Sequence, residues 1–210
     1  MMMLKFAGTS LVLATLLMAC SPAAEEGAPA ETATAETPAP FVPADFEVPT
    51  LVEADGFKLV PLGPDLVEVD YAAYMSSIEH LQQTFTRSTG WPREGITDEE
   101  AMLDMETEQG RFERRESFAY GVLTPDGSRE LGSLYVRPSP VADYDAMVML
   151  WVTKADYDAG FDEELYAWAQ DWVASAWPFA KVAWPGRAND WDSWDALVTA
   201  TESEARATEG

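Results

Sequence analysis

The sequence predicts an α+β domain, with helices packed on a mixed sheet and elements in the order β-α-α-β-β-β-α-β. Three observations carry this. "FAYGVLTPDGSRELGSLYVRP" (118–138) places two alternating, aromatic-rich strands on either side of "TPDGS", whose Pro and Gly suit a tight hairpin turn. "DAMVMLWVTK" (145–154) is an almost unbroken apolar run, as expected of a central strand covered on both faces. After it come a helix, "DEELYAWAQDWVASAW" (162–177), and a short strand, "FAKVAW" (179–184). A strand–helix–strand unit implies a parallel pair with a right-handed crossover.

The remaining elements follow from local pattern. "FKLVPLG" (57–63) is β-rich and bounded by Pro and Gly, and reads as the first strand. "DLVEVDYAAYMSSIEHLQQTF" then sets Tyr71, Met75, Ile78 and Phe85 at helical spacing. Thr97 opens the next helix with Glu100 three residues on, a capping box, and Met102, Met105, Gln109 and Phe112 trace its apolar face. In 162–177 the stripe is Leu165, Trp168, Ala169, Trp172, Val173 and Ala176. "DWDSWDALV" (190–198) reads as a short final helix, and 199–210 as a frayed, disordered polar tail.

The N-terminus assigns a destination. Residues 1–19 join one cation, Lys5, to an apolar run densest at Leu11–Met18 and a small residue before Cys20, the pattern of a secretory signal. "LMAC" resembles the bacterial lipobox, which implies cleavage before Cys20 and lipidation of its thiol; Cys20 is the only cysteine in the chain. Each buried methylene contributes about 0.8 kcal/mol, so two or three acyl chains anchor stably. Ser21 after the cysteine implies, by that resemblance, an outer-membrane anchor facing the periplasm. Residues 20–56 hold eight acidic and no basic residues among Ala, Pro and Thr, and read as a disordered tether. Its part near Phe41, Phe46 and Leu51 is placed to dock on the domain at 57–198.

Composition narrows the chemistry. The net charge is −24, from 37 acidic and 13 basic residues, which argues against a nucleic-acid partner. With Cys20 lipidated there is no disulfide, thiol nucleophile or cysteine metal site. The single histidine, His80, would alone have to carry any imidazole chemistry, and its place on a helix reads as a boundary residue.

The element order resembles that of the GNAT acetyltransferases, and "SFAYGVLTPDGSRELGSLYVRP", "YDAMVMLWV" and "WPFAKVAWPGR" are similar to a branch of bacterial GNAT-like proteins across roughly 57–187. The resemblance implies acetyl-CoA in a splay between the strands at 145–154 and 179–184. Its pyrophosphate would lie on loop amides at the next helix's N-terminus, written Q/R-x-x-G-x-G/A in the family. Free amides and the positive helix end attract phosphate. Here that loop reads "KADYDAGFDEEL", with Lys154 the one cation and Gly160 the one glycine, so these two are the cofactor-loop candidates. Asp162 is placed to cap the helix, and Glu163 and Glu164 oppose a phosphate there. Nothing matches the family's carboxylate base or tyrosine acid, so no catalytic residue is assigned. Asn189 falls near a CoA-contacting Asn of the family, but its surroundings differ. The chain also departs from the family after "AKVAWPGR", where a helix and two further strands are expected; the uncovered edge is expected to take a partner strand or the chain's own tail.

Asp156, Asp158 and Asp162 loosely suggest a calcium loop, but Phe161 and Ala167 stand where an EF-hand needs Gly and Glu, so no metal is assigned. Of the eight tryptophans, Trp151, Trp168 and Trp172 fall at core positions, while Trp184, Trp191 and Trp194 lie nearer the open end of the splay, where an aromatic cleft could form. The sequence thus favours a lipid-anchored envelope protein with a GNAT-like binding domain and no cofactor. The alternative is an acetyl-CoA-dependent N-acetyltransferase with an atypical loop.

Overall fold

Period-two alternation sorts the central strands' side chains onto two faces, and both faces are covered. In this computed structural model, which describes residues 40–208, the six strands run in sequence order β1-β2-β3-β4-β5-β6. They are β1 (Val52–Glu53), β2 (Lys58–Pro61), β3 (Phe118–Leu123), β4 (Glu130–Pro138), β5 (Ala146–Val152) and β6 (Val182–Ala183). All neighbours are antiparallel except β5 and β6, the parallel pair expected from the crossover. One face carries Phe118, Tyr120, Val122, Leu134, Val136, Val148, Leu150 and Val152 against helix α5 (Phe161–Ala176). The other carries Ala119, Tyr135 and Trp151 against α1 (Val67–Met75), α2 (Ile78–Thr84) and α3 (Asp98–Glu113). The fold is α+β on a mixed sheet.

Several boundaries move. The single long helix expected after the first strand is a 3-10 turn at Pro64–Leu66, then α1, then α2, broken at Ser76–Ser77. Because the break resets the helical phase, the buried residues are Asp70, Ala73, Tyr74 and Leu81 rather than Tyr71, Met75, Ile78 and Phe85. In α3 the capping box at Thr97 and Glu100 is formed, but the inward stripe is Ala101, Met105 and Glu108. The face expected to be wholly solvated therefore sends one glutamate inward. Glu108 is held by Arg111 at 2.7 Å and Arg137 at 3.6 Å.

The tether's boundary at 56 also moves. Val42 is buried, Phe41 stacks on Phe118 and Phe179, and Phe46 meets Trp177, while Leu51 stays exposed. Two bonds from Arg115 to the carbonyls of Pro43 and Phe46 fasten this segment, which then contributes β1. At the other end, the tail expected from 199 continues as helix α6 (Trp191–Thr208). Cys20 and the signal lie outside the described residues. Among those described, no helix is long and apolar enough to cross a membrane.

Candidate functional site

Pairing between β5 and β6 stops at Met147 and Ala183. Beyond that point a cavity of about 280 Å³ lies between Met149–Val152 of β5 and Pro185–Arg187 after β6. Gln83 and His80 of α2, Tyr157, Asp162 and Trp191 complete its walls. This is where the sequence places a splay.

The loop at its mouth is not a loop. Residues Lys154–Asp158 form a short helix, α4, capped by Thr153, whose hydroxyl accepts from the Asp156 amide. The backbone amides are consumed in building it. Thr153 N–H donates to Leu131 O, Lys154 N–H to Ser77 Oγ at 2.8 Å, Tyr157 N–H to Thr153 O, Ala159 N–H to Ala155 O and Gly160 N–H to Tyr157 O. Gly160 has φ +89, the left-handed region that glycine tolerates, and is the N-cap of α5 with no side-chain cap. Asp162 is thus not the cap expected of it. It lies inside the helix and accepts two hydrogen bonds from Arg187, at 2.9 and 2.7 Å, the pair being largely shielded from solvent.

The loop acids do not converge. Asp156 accepts from Arg129 at 2.6 and 3.1 Å and from Thr153 Oγ at 2.6 Å; Asp158 takes Lys154; Asp162 takes Arg187. Each carboxylate has its own cation, and among the described residues no three His, Cys, Asp or Glu side chains gather to hold a metal. Lys154 and Gly160 do border this region, but the Lys154 ammonium is committed to Asp158. His80 stacks 4.8 Å from Tyr157, and burial first, Lys154 second, hold its pKa below the usual imidazole value, so the ring is neutral near pH 7.

The residues present therefore do not fit the pyrophosphate of acetyl-CoA. Such a group needs free amides and an available cation. Here the amides of α4 bond within the chain, Arg187 is spent on Asp162, and Asp162, Glu163 and Glu164 set three carboxylates in the first turn of α5, where a phosphate would have to lie. Asn189 is structural: its Oδ1 accepts from the Trp184 amide at 2.7 Å and its Nδ2 donates to Tyr144 Oη at 2.9 Å, closing the 184–189 turn. Trp151 and Trp172 are buried and Trp168 is half-buried. Trp184 and Trp194, expected near an opening, are buried, which leaves Trp191 as the tryptophan of that group in the cavity wall. Beside β6 the helix α6 sets Trp194 in a cluster with Ala183 and Val141, and no described strand pairs with the outer edge of β6.

Sequence reasoning missed Ser77, which accepts the first amide of α4 from 77 residues away, and Arg129 and Arg187, which neutralise the loop's acids from 27 and 25 residues away. Only the excess of acids in the loop signalled that distant cations must answer it.

No family model matches the chain, and no curated protein matches it. Among solved structures it is similar to a protein from Vibrio cholerae assigned as a ribosomal-protein-serine acetyltransferase, at 14% identity and TM-score 0.46, over 59% of this chain and 65% of that one. It is similar to the ribosomal-protein-S5-alanine acetyltransferase of Vibrio fischeri at 12% identity and TM-score 0.46, over 62% and 69% of the two chains. A third, assigned as a GNAT-family acetyltransferase from Bordetella pertussis, aligns at 16% identity and TM-score 0.43, over 61% and 74%. The alignment to the Vibrio cholerae protein spans just under two thirds of that protein's length.

Proposed function

We propose that this chain is a bacterial envelope lipoprotein, held through a lipid on Cys20 at the outer membrane and facing the periplasm. Its GNAT-like domain acts as a binding or interaction module without acetyl transfer, for an envelope protein or a small ligand. The observation that carries the second half is the Asp162–Arg187 pair, which closes the α5 end of the cavity with one charge of each sign. A ligand that took Arg187 from this part-buried pair would strand the Asp162 charge. The test is calorimetric titration of acetyl-CoA into the full chain. No heat of binding is expected, and a micromolar dissociation constant would overturn the reading. The anchor is tested separately, by the mass of the mature N-terminal fragment. Acylation at Cys20, abolished by Cys20→Ala, is expected; an unmodified Cys20 in the mature chain refutes it.

The alternative, an acetyl-CoA-dependent N-acetyltransferase, is favoured by one observation: the cavity of about 280 Å³ persists where β5 and β6 cease to pair. On that reading Arg187 would have to leave Asp162 for phosphate. The same titration with Asp162→Asn separates the two, since only a competing ion pair would gain binding in that variant.

A further inference from the structure

A second cluster of ionisable groups lies under α1 and α3, on the opposite side of the molecule's logic from the cavity. Asp70 on α1 and Glu130 at the start of β4 are 3% and 1% exposed, and the charge of each bears on the other. Glu130 lies over Gly121 of β3, where a Cβ would stand 3.5 Å from its Oε2 and 3.2 Å from side-chain methyls of Leu62 and Leu66. Ser133 Oγ donates to Glu130 Oε1 at 2.7 Å. Glu130 Oε2 is buried with no partner. As carboxylates, neither side chain of the pair can donate to the other; one shared proton supplies the missing donor and satisfies that oxygen.

The surroundings offer no other remedy. The groups nearest the pair are Asp104 of α3, Tyr74 of α1 and Tyr135 of β4; around these in turn stand Tyr71 of α1, Glu100, Glu108 and Arg111 of α3, and Arg137 of β4. Both arginines are committed to Glu108, at 2.7 and 3.6 Å. Burial, then the field of Asp104, pushes the Asp70 carboxyl up to about 7, and burial followed by the charge of Asp70 raises Glu130 well above the carboxylate range. Like charges this close in a dry site do not both ionise.

We propose that Asp70 and Glu130 form a proton-operated latch that docks α1 on β4, with α3 packed beside it, and that loosens this helical layer when the shared proton is lost. The latch is independent of the cavity and of the lipid anchor. Its two halves sit on elements that pack directly, α1 on β4, and α3 packs on both α1 and β3. The layer sets this pair among the apolar Leu62, Tyr74, Leu81 and Met105, with Glu108 of α3 as a further buried acid, neutralised by its own arginines.

The test is amide hydrogen exchange on the full chain from pH 5.5 to 9, corrected for intrinsic rates. Opening of α1 and α3 should rise by up to about tenfold per pH unit as pH climbs towards 7 and level off above it, relative to β3–β5, as expected when one proton is released. Asp70→Asn, which keeps a donor without titrating, should remove that pH dependence. Equal behaviour of the helices and the sheet, or an unaltered response in Asp70→Asn, overturns the latch. Should that variant not fold, carbon-13 titration of the wild-type side-chain carboxyls decides. A carboxyl titrating near or above neutrality, assigned to Asp70 or Glu130, is expected, and titration of every carboxyl below pH 5 refutes it.

Discussion

Gly186, in the turn after β6, combines two constraints that can be separated by experiment. Its φ is +75, and a Cβ added there would stand 2.5 Å from Cε2 and Nε1 of Trp191. The left-handed backbone alone costs a non-glycine residue about 1–2 kcal/mol. The contact adds to this, because Trp191 cannot simply retreat: the Arg87 guanidinium lies 4.0 Å over its ring and is bonded in turn to Asp195 at 2.9 Å. Forcing atoms into a packed site costs about 1–3 kcal/mol more. Gly186→Ala should therefore destabilise by about 2–5 kcal/mol. Gly160→Ala is the matched control, with φ +89 and nothing within 4 Å of the added methyl. It carries the strain without the clash, partly offset by about 0.4–1 kcal/mol from the stiffer unfolded chain. At roughly 2–4 °C per kcal/mol for a domain of this size, thermal unfolding should fall by about 5–15 °C in Gly186→Ala and by no more than about 5 °C in the control. Tryptophan fluorescence should shift in the first variant alone. Equal melting losses in the two would show that the Trp191 contact contributes nothing and that Trp191 is free to move from the cavity wall.

Thr97→Ala removes the hydroxyl that accepts from the Glu100 amide, and should cost about 1 kcal/mol in denaturant unfolding, with Thr97→Ser near neutral. Leu165→Ala, at a fully buried position on α5, should cost about 2–5 kcal/mol by the same assay. Stability should also fall as pH rises. Because the folded Asp70 carboxyl is raised from 3.8 to about 7, its contribution is complete below pH 3.8 and is lost as pH climbs through 7, by at most about 4 kcal/mol. Asp70→Asn should flatten that slope, and a slope unchanged by the substitution would place the titration elsewhere.

The parts of the fold legible in the sequence were those governed by short-range pattern. The 118–138 hairpin, the capping box at Thr97 and the α5 stripe through Leu165, Ala169, Trp172 and Val173 all appear, because turn chemistry and periodicity act within a few residues. The docking expected near Phe41 and Phe46 also appears, in an aromatic cluster with Phe118, Trp177 and Phe179, although Leu51 stays exposed and the ordered part extends to Val42 and β1. Two readings failed where tertiary contacts overrode composition. Glu108 and Asp70 look like surface acids by spacing, but the break at Ser76–Ser77 and the arginines at 111 and 137 change what each can bury against. The helix α6 extends past Thr199, although the sequence there is polar and offers no apolar stripe to announce it.

The site was less legible than the fold for a related reason. From the sequence, "KADYDAGFDEEL" is an acidic loop that repels phosphate, and repulsion was expected to arise from Asp162 as a cap together with Glu163 and Glu164. In the structure the loop is closed by construction as well as by charge. Ser77 holds the first amide of α4 from outside, Thr153 starts the helix, and Arg187 reaches from beyond β6 to pair with Asp162. The distinction has a consequence for redesign. If charge alone excluded phosphate, neutralising Asp162 would restore an anion site; with the α4 amides already bonded, it would free Arg187 but leave only the first-turn amides of α5 to meet an anion. Freeing the α4 amides requires Ser77 and Thr153 to change as well, residues that no reading of the loop itself would select.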